Sequence, residues 1–498
     1  MGESGRPEGA GVFGARRAGL GSRLAALAAP LLLAACTVGP SYHRPPLSPS
    51  AGYGAQPSQA ASPPLVSGSD IPAQWWRVFH SAELDALVAQ ALDNNPTIEA
   101  ARAALRAAHE QGAAQRGLGY PSATASLQPS RQAFAHTLAS PLQSGREIYD
   151  LTTAQVSVAY APDLFGANAR AVESLAAQED QQRFALEAAR LTLTSNVVVA
   201  AIQDALLRAQ IAETQAIILE QQQTVAAFER QLKLGQASTA DLAVQQALLA
   251  QAQATLPPLD KQFRINRDLL AALAGRTPGE PVALGLDLAA LTLPDQVPLS
   301  LPAQLVEHRP DVRAAEAQLH AASAQVGIAA AARWPNLQIA ASAGSAAVAL
   351  VPAFGPQADF WSLAATLTQP LYDGGTLRRR QRAAEATYDQ AAAQYQSTVV
   401  GAFQNTADVL HALRTDADAL SAAEASEAAD RRSLDIARRQ FDLGQAGALA
   451  VLSAEQAEHQ ARLASLQARA SRYADVAALF QALGGGWWNA PVAKIAEP

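Results

Sequence analysis

Eight histidines, one cysteine and scattered acids are the residues from which a reactive centre could be built, and their spacing builds none. His43, His80, His109, His136, His308, His320, His411 and His459 lie far apart. There is no H-E-x-x-H and no spaced pair with Asp or Cys, so no metal-ligating set is legible. No G-x-S-x-G, Walker loop or dinucleotide glycine pattern occurs either. Gly484-Gly485-Gly486-Trp487-Trp488 is a Gly-rich turn with no strand before it, not a phosphate loop. A single cysteine forms neither an intrachain disulfide framework nor a thiolate zinc cluster. The expectation is a non-enzyme with no catalytic residue, metal or cofactor. The formal net charge of −7 and the pI near 5.7 give no reason to expect nucleic acid as a partner.

The position of the one thiol is more telling than its reactivity. Arg6, Arg16, Arg17 and Arg23 precede the run Leu24-Ala-Ala-Leu-Ala-Ala-Pro-Leu-Leu-Leu-Ala-Ala-Cys36. That is a basic region, a short apolar region and small residues at a cut, the plan of a secretory leader. The apolar run is too short for a spanning helix, which needs about 20 residues. Leu33-Ala34-Ala35-Cys36 resembles the lipobox of bacterial lipoproteins. The resemblance implies a signal peptide over 1–35 and acylation of Cys36, palmitate included. Thr37 rather than Asp follows, which by analogy with lipoprotein sorting points to the outer membrane. The plainer alternative is an ordinary signal peptide with an incidental cysteine.

What must position these residues is mostly helix. Of the 498 residues 49% are hydrophobic but only 5% aromatic, and mean hydropathy is +0.00 because alanine dominates. This argues against ordinary large cores and for close helix packing. Residues 36–72, rich in Pro, Ser, Gly and Ala, read as an irregular tether. From 82 to 117 the pattern is helical, interrupted at Asn94-Asn95-Pro96. Residues 167–234 hold no proline and read as one helix of roughly 100 Å. A second runs from about 375 to 443, and 239–273 and 448–483 are shorter partners. A further helix is expected over 299–330. No late apolar run is long and uncharged enough for a transmembrane helix.

The chain also repeats itself. Pro96 to Tyr120-Pro121 matches Pro310 to Trp334-Pro335, and Arg230 to Ala237 matches Arg439 to Ala446. Leu273-Ala274-Gly275 falls on Ala482-Leu483-Gly484, and Asp163-Leu-Phe-Gly166 on Leu371-Tyr-Asp-Gly374. Ordered matches at a near-constant spacing mark two copies of one unit of roughly 210 residues. The expected division is 73–290 and 291–484, with a tail over 485–498. Each copy holds one non-helical stretch, 121–163 and 335–371. There Trp361, Leu363, Ala365 and Leu367 alternate with Ser362, Ala364, Thr366 and Thr368, and Val156, Val158 and Tyr160 with Gln155, Ser157 and Ala159. These are strands with one apolar face. A membrane barrel and a small soluble sheet share that pattern. Tyr120 and Trp334, each before a proline at a strand start, and Trp361 suit an interface aromatic girdle. Four strands cannot close a spanning barrel alone, so a barrel would need several chains.

Taken together, the chain resembles the TolC-like outer-membrane efflux proteins, in particular their lipidated NodT-type members. The resemblance rests on Cys36-Thr37-Val38-Gly39-Pro40, Tyr42-His43-Arg44-Pro45, Trp75-Trp76-Arg77-Val78-Phe79, Leu84-Asp85-Ala86-Leu87, Asn94-Asn95-Pro96 and Gly374-Gly375, and on the duplicated plan. It implies a fold that mixes long coiled-coil helices with four strands per chain of a shared twelve-stranded outer-membrane barrel. It implies a homotrimer docked through a periplasmic adaptor (a membrane fusion protein) to an inner-membrane pump of the resistance-nodulation-division (RND) type. The function implied is passive, gated export of drugs or other small solutes. The alternatives are the exit duct of a type I protein secretion system and a structural coiled-coil lipoprotein.

Residue by residue, Leu234-Gly235-Gln236 and Leu443-Gly444-Gln445 look like the family's paired hairpin turns, the adaptor-contacting tips. Members often carry acids just after the second tip, but here Ala450 stands there. Asp241, six residues past the first tip, is the candidate for a periplasmic gate. Three such carboxylates would raise one another's pKa values and could hold cations. The competing reading is a surface acid favoured by a helix N-terminus. Arg378, Arg379, Arg380 and Arg382 open a helix against its dipole, so acidic partners are expected, as salt bridges between chains; the alternatives are an electropositive band in the lumen and contact with anionic lipid headgroups.

Overall fold

A computed structural model of the chain describes residues 38–46, 65–67, 70–133, 135, 147–280, 282–294, 297–299, 307–348 and 358–490. Cys36, the leader and the end of the tail lie outside the described residues. Two compact units emerge, and each draws on both sequence repeats. One holds Met1–His43, His109–Ala177 and Leu319–Gln390; the other holds Arg44–Ala108, Gln178–Gln318 and Ala391–Pro498.

Among the described residues seven long elements are α-helices: α1 (Ala82–Asn94), α2 (Pro96–Gly117), α3 (Ala167–Lys233), α4 (Thr239–Leu273), α5 (Pro310–Ala331), α6 (Thr376–Asp442) and α7 (Ala448–Ala482). Their starts follow local chemistry. The Ser81 hydroxyl caps α1 by accepting from Leu84 N at 3.3 Å, and Leu84, Leu87, Val88 and Ala91 bury one face. Pro96 forbids helical geometry at Asn95, so the chain breaks there and restarts with proline in the first turn. α5 starts at Pro310, not at 299; Leu299 belongs to a strand instead. That strand, β4 (Val297–Leu299), pairs in parallel with β1 (Leu65–Ser67). The stretch expected as irregular tether therefore contributes a strand, which no three-residue run carrying Pro298 announces.

The remaining strands are β2 (Ser122–Ala133), β3 (Ile148–Tyr160), β5 (Asn336–Ala347) and β6 (Asp359–Thr368). They form one antiparallel sheet in the order β2-β3-β5-β6, so the central junction joins the two repeats.

In the larger unit an aromatic core gathers where the composition predicts thin packing. Trp75 to Phe79 is a buried 3-10 helix. Trp75 stacks on Phe480 at 5.4 Å, and Phe79 meets Tyr473 edge-on at 6.1 Å. Gly484, Gly485 and Gly486 all take positive φ, which lets the chain fold back after α7. Trp487 Nε1 then donates to the His308 carbonyl at 2.7 Å. Asp204 on α3 is fully buried and holds Arg208 at 2.6 Å and Arg267 of α4 at 2.5 Å. The same guanidiniums donate to the Leu284 carbonyl, which ties the 282–291 loop to the hairpin.

Candidate functional site

The four-stranded sheet has two faces of opposite character, and register carries each across the strands. Leu127 pairs with Ala154 and Ala125 with Val156. Val156 pairs with Ala343 and Val158 with Ala341. Ala343 pairs with Trp361, Ala341 with Leu363, and Leu337 with Leu367. The opposite face carries Ser122, Thr124, Ser126 and Gln128, then Gln155 and Ser157, then Ser342 bonded to Ser362 at 2.8 Å. Both faces are open over most of their length, and Trp361 is 78% exposed. From Leu367 to Trp361 the apolar band spans about 20 Å, close to the ~25 Å apolar height of an outer-membrane barrel. Strands of 10 to 13 residues also meet the length such a barrel needs. Tyr120 and Trp334 stand at the feet of β2 and β5, and Trp334 stacks on Phe165 at 5.3 Å. β2 and β6 have no strand on their outer edges among the described residues.

Beside this sheet the residues that follow Cys36 are strapped down. Val38 N donates to the Phe165 carbonyl at 3.2 Å. Gly39, at φ +110°, lies so close to Gly327 of α5 that a Cβ would sit 2.5 Å from its Cα. Tyr42 stacks on His320 at 4.4 Å, and His320 Nε2 meets Glu173 at 2.9 Å. Burial pushes the Glu173 carboxyl up, but bonds from His320 and Arg170 hold it below its ordinary value. In the other unit Arg44 pairs with Glu316 at 2.7 Å.

Both hairpin turns close alike. Gly235 and Gly444 take φ of +72° and +69°, and the following Gln236 and Gln445 donate to Gln231 and Gln440 carbonyls at 2.8 Å. These bonds satisfy the last carbonyls of α3 and α6. Leu234 and Leu443 are left largely exposed. Asp241 sits in a capping box: its carboxylate accepts from Ser238 N at 3.0 Å and from Ser238 Oγ at 2.7 Å, while Asp241 N donates to Ser238 Oγ. These bonds hold its carboxyl below the usual range. Within one chain Asp241 is therefore a helix-capping acid. The second turn has Gly447 at the same place and no side-chain cap.

The charged cluster at the start of α6 is not paired within the chain. Arg378, Arg379, Arg380 and Arg382 have no ion-pair partner among the described residues. Asp373 offsets the helix end instead, accepting from Gly375 N at 2.8 Å and Leu377 N at 2.7 Å, which lowers its pKa.

A second set of residues is not legible from motifs. Arg462 of α7 bonds Glu213 of α3 at 2.9 Å, so it links the second hairpin to the first. His459 is 8% exposed and lies 3.4 to 3.8 Å from Glu458, Glu220 and Glu213. Arg431 of α6 bonds Glu427 and stands 3.9 Å from Glu458. The only sequence signal is that Glu455, Glu458, His459 and Arg462 share one helical face. Further along α7, burial and then the neighbouring Asp416 push the Asp475 carboxyl up to about 7. No cluster of three or more potential metal ligands exists among the described residues. α3 contains one window apolar enough to cross a membrane by length and composition alone.

Comparison with known proteins gives a consistent picture. A family profile described as "Outer membrane efflux protein" matches residues 87–276 and 301–485. The outer membrane protein OprJ of Pseudomonas aeruginosa is 30% identical over 487 residues, covering 93% of this chain and 96% of OprJ. Nodulation protein T of Rhizobium leguminosarum bv. viciae is 28% identical, covering 96% and 95%. Among solved structures, the outer-membrane channel OprN superposes with a TM-score of 0.82 at 26% identity, covering 91% of this chain and all of that one.

Proposed function

The chain belongs to the outer membrane efflux protein family and is the outer-membrane channel of an efflux-type system for small molecules and drugs, and we propose that it works as a lipid-anchored homotrimer. The family is non-catalytic, so the protein offers a passage and no reaction. One observation carries the assembly: a sheet with an apolar band on one face, polar side chains on the other, and two open edges. In lipid every backbone polar group must be paired, so only closure into a ring satisfies the edges. Three copies supply twelve strands, with the Ser, Thr and Gln face toward water.

In this proposal the two sequence repeats, 73–290 and 291–484, each contribute one strand hairpin and one helical hairpin. Tyr120, Trp334 and Trp361 mark the two levels at which the sheet meets headgroups. Cys36 carries the lipid, NodT-like, and the strap from Val38 to Tyr42 sets where it emerges. The turns at Leu234-Gly235-Gln236 and Leu443-Gly444-Gln445 meet the periplasmic adaptor, which couples to an RND-type pump. Exposed leucines on a fixed, glycine-closed turn support that reading. The passage opens when adaptor contact separates the hairpins. Asp241 remains a candidate for its narrowest ring, although its carboxylate is already used as a cap.

The test is direct. The full chain, expressed in a Gram-negative host, should fractionate with the outer membrane and run as a trimer in mild detergent. Mass spectrometry should find Cys36 at the N-terminus carrying acyl chains. A soluble monomer would sink the assembly, and an unmodified thiol would sink the anchor alone.

A further inference from the structure

The two strand hairpins share one register. Ser122 pairs with Ala159, and Asn336 with Thr368. Passing from the first hairpin to the second therefore adds 214 positions on one strand and 209 on the other. Both steps recur outside the sheet. The first is the step from Tyr120-Pro121 to Trp334-Pro335. The second holds at the next helix, where Arg170 N bonds the Gly166 carbonyl and Arg379 N bonds that of Gly375. β5 is thus the counterpart of β2, and β6 of β3.

The junction between repeats is β3–β5, where Ser157 pairs with Ser342, Val158 with Ala341 and Ala159 with Ala340. The opposite edges, β6 and β2, are the counterparts of those strands and are open. A closed ring of identical chains alternates these two junctions, and nearly equal hairpins close it most evenly when the junctions are alike. The geometry points to β6 of one copy pairing antiparallel with β2 of a second copy, with Leu367 opposite Leu127, Thr366 opposite Gln128, and Trp361 opposite Ala133. This inference rests on the barrel reading above and adds the register of its seam.

Three features support that register. Each pair joins like to like: leucine meets leucine on the apolar face, and threonine meets glutamine on the polar one. A slip by one residue would set Leu127 against a threonine and invert both faces. At the foot of the internal junction Phe165 stacks on Trp334. At the seam the counterparts are Gly374 and Tyr120, so that stack cannot recur. Leu371 and Tyr372, 94% and 93% exposed, are the apolar side chains beside Gly374 and are placed to cover Tyr120 of the second copy.

Slips by two residues keep both faces and must be separated by experiment. Facing residues in an antiparallel pair have Cα atoms about 4.5 or 5.5 Å apart, within disulfide reach. A two-residue slip moves them about 7 Å along the strand, beyond reach. Four double-cysteine chains are made: Leu367→Cys with Leu127→Cys, Thr366→Cys with Gln128→Cys, and Leu367→Cys with either Ala125→Cys or Pro129→Cys. After mild oxidation in membranes, covalent trimer is read on a non-reducing gel. The first two chains should give at least ten-fold more covalent trimer than the last two. Covalent trimer from the Ala125 or Pro129 chain instead would overturn the register and leave the barrel intact. Trimers on sizing with no covalent product from any chain would overturn the β6–β2 pairing. The unsubstituted chain and the single variants Leu367→Cys and Leu127→Cys check assembly; if the unsubstituted chain itself is monomeric, the barrel reading fails with the seam.

Discussion

Arg462→Ala should open the passage, and the size of the effect follows from the geometry. Arg462 Nη1 lies 2.9 Å from Glu213 Oε1, and this pair joins α7 of the second hairpin to α3 of the first. The Arg462 side chain is 40% exposed and Glu213 14%, so solvent screens the pair. A value of about 1 kcal/mol per chain is appropriate for such a contact. If three chains open together, removing three pairs shifts the balance by about 3 kcal/mol, roughly a hundred-fold in the ratio of open to closed. If each chain moves alone, the shift is only about five-fold per chain. Single-channel recording separates the two, since it counts open time directly. The exchange Arg462→Glu with Glu213→Arg should recover only part of the closed time, because it rebuilds the pair with its sense reversed but sets a carboxylate beside Glu458, which stands 3.7 Å from Arg462. Open time unchanged in Arg462→Ala and in Glu213→Lys would refute the idea that the hairpins part at this contact.

Three further outcomes are expected. Gly39→Ala should displace the strap by Gly327, since the new Cβ meets Gly327 Cα at 2.5 Å and φ is +110°; a cost of about 1–3 kcal/mol should appear as faster proteolysis between Cys36 and Arg44. Asp204→Ala removes a fully buried carboxylate from two partly exposed arginines, Arg267 and Arg208, which keep only their carbonyl partners. It should cost about 1–3 kcal/mol, since solvent reaches both arginines, read as a lower unfolding midpoint. Asp475 has a carboxyl raised to about 7, above its unfolded value of 3.8, so folding favours its neutral form. The resulting penalty is absent below about pH 4 and grows as pH rises toward 7. Asp475→Asn should therefore raise the thermal midpoint at pH 8, by a gain that shrinks as the pH falls and is lost below about pH 4.

Long elements were the most legible. α3 and α6 have no interior proline and end on Leu-Gly, so their extents follow from the sequence to within a residue or two. Alternation marks β3 and β6, because period two is visible wherever one face is apolar, whereas β2 is legible only as part of the non-helical stretch 121–163. Alternation left open whether that face meets lipid or a soluble core. Among the described residues the two edges of the sheet are open and its faces exposed, so another surface must complete it, and the family match places the chain in an outer membrane. The parts that stayed hidden depend on contacts distant in sequence. Trp75 and Phe480 lie about 400 positions apart, and Arg462 and Glu213 about 250, so no local pattern announces either contact. Asp241 shows the reverse case. Its position suggested a gate, but Ser238 three residues earlier already signals a capping box.

The central claim is that this chain forms a water-filled passage through an outer membrane, and conductance across a planar lipid bilayer tests it most directly. Addition of the purified protein should produce discrete, uniform steps of current that persist under voltage, with longer open times for Arg462→Ala. A protein that inserts into the bilayer yet leaves the current at the level of bare lipid, with and without that substitution, would contradict the account.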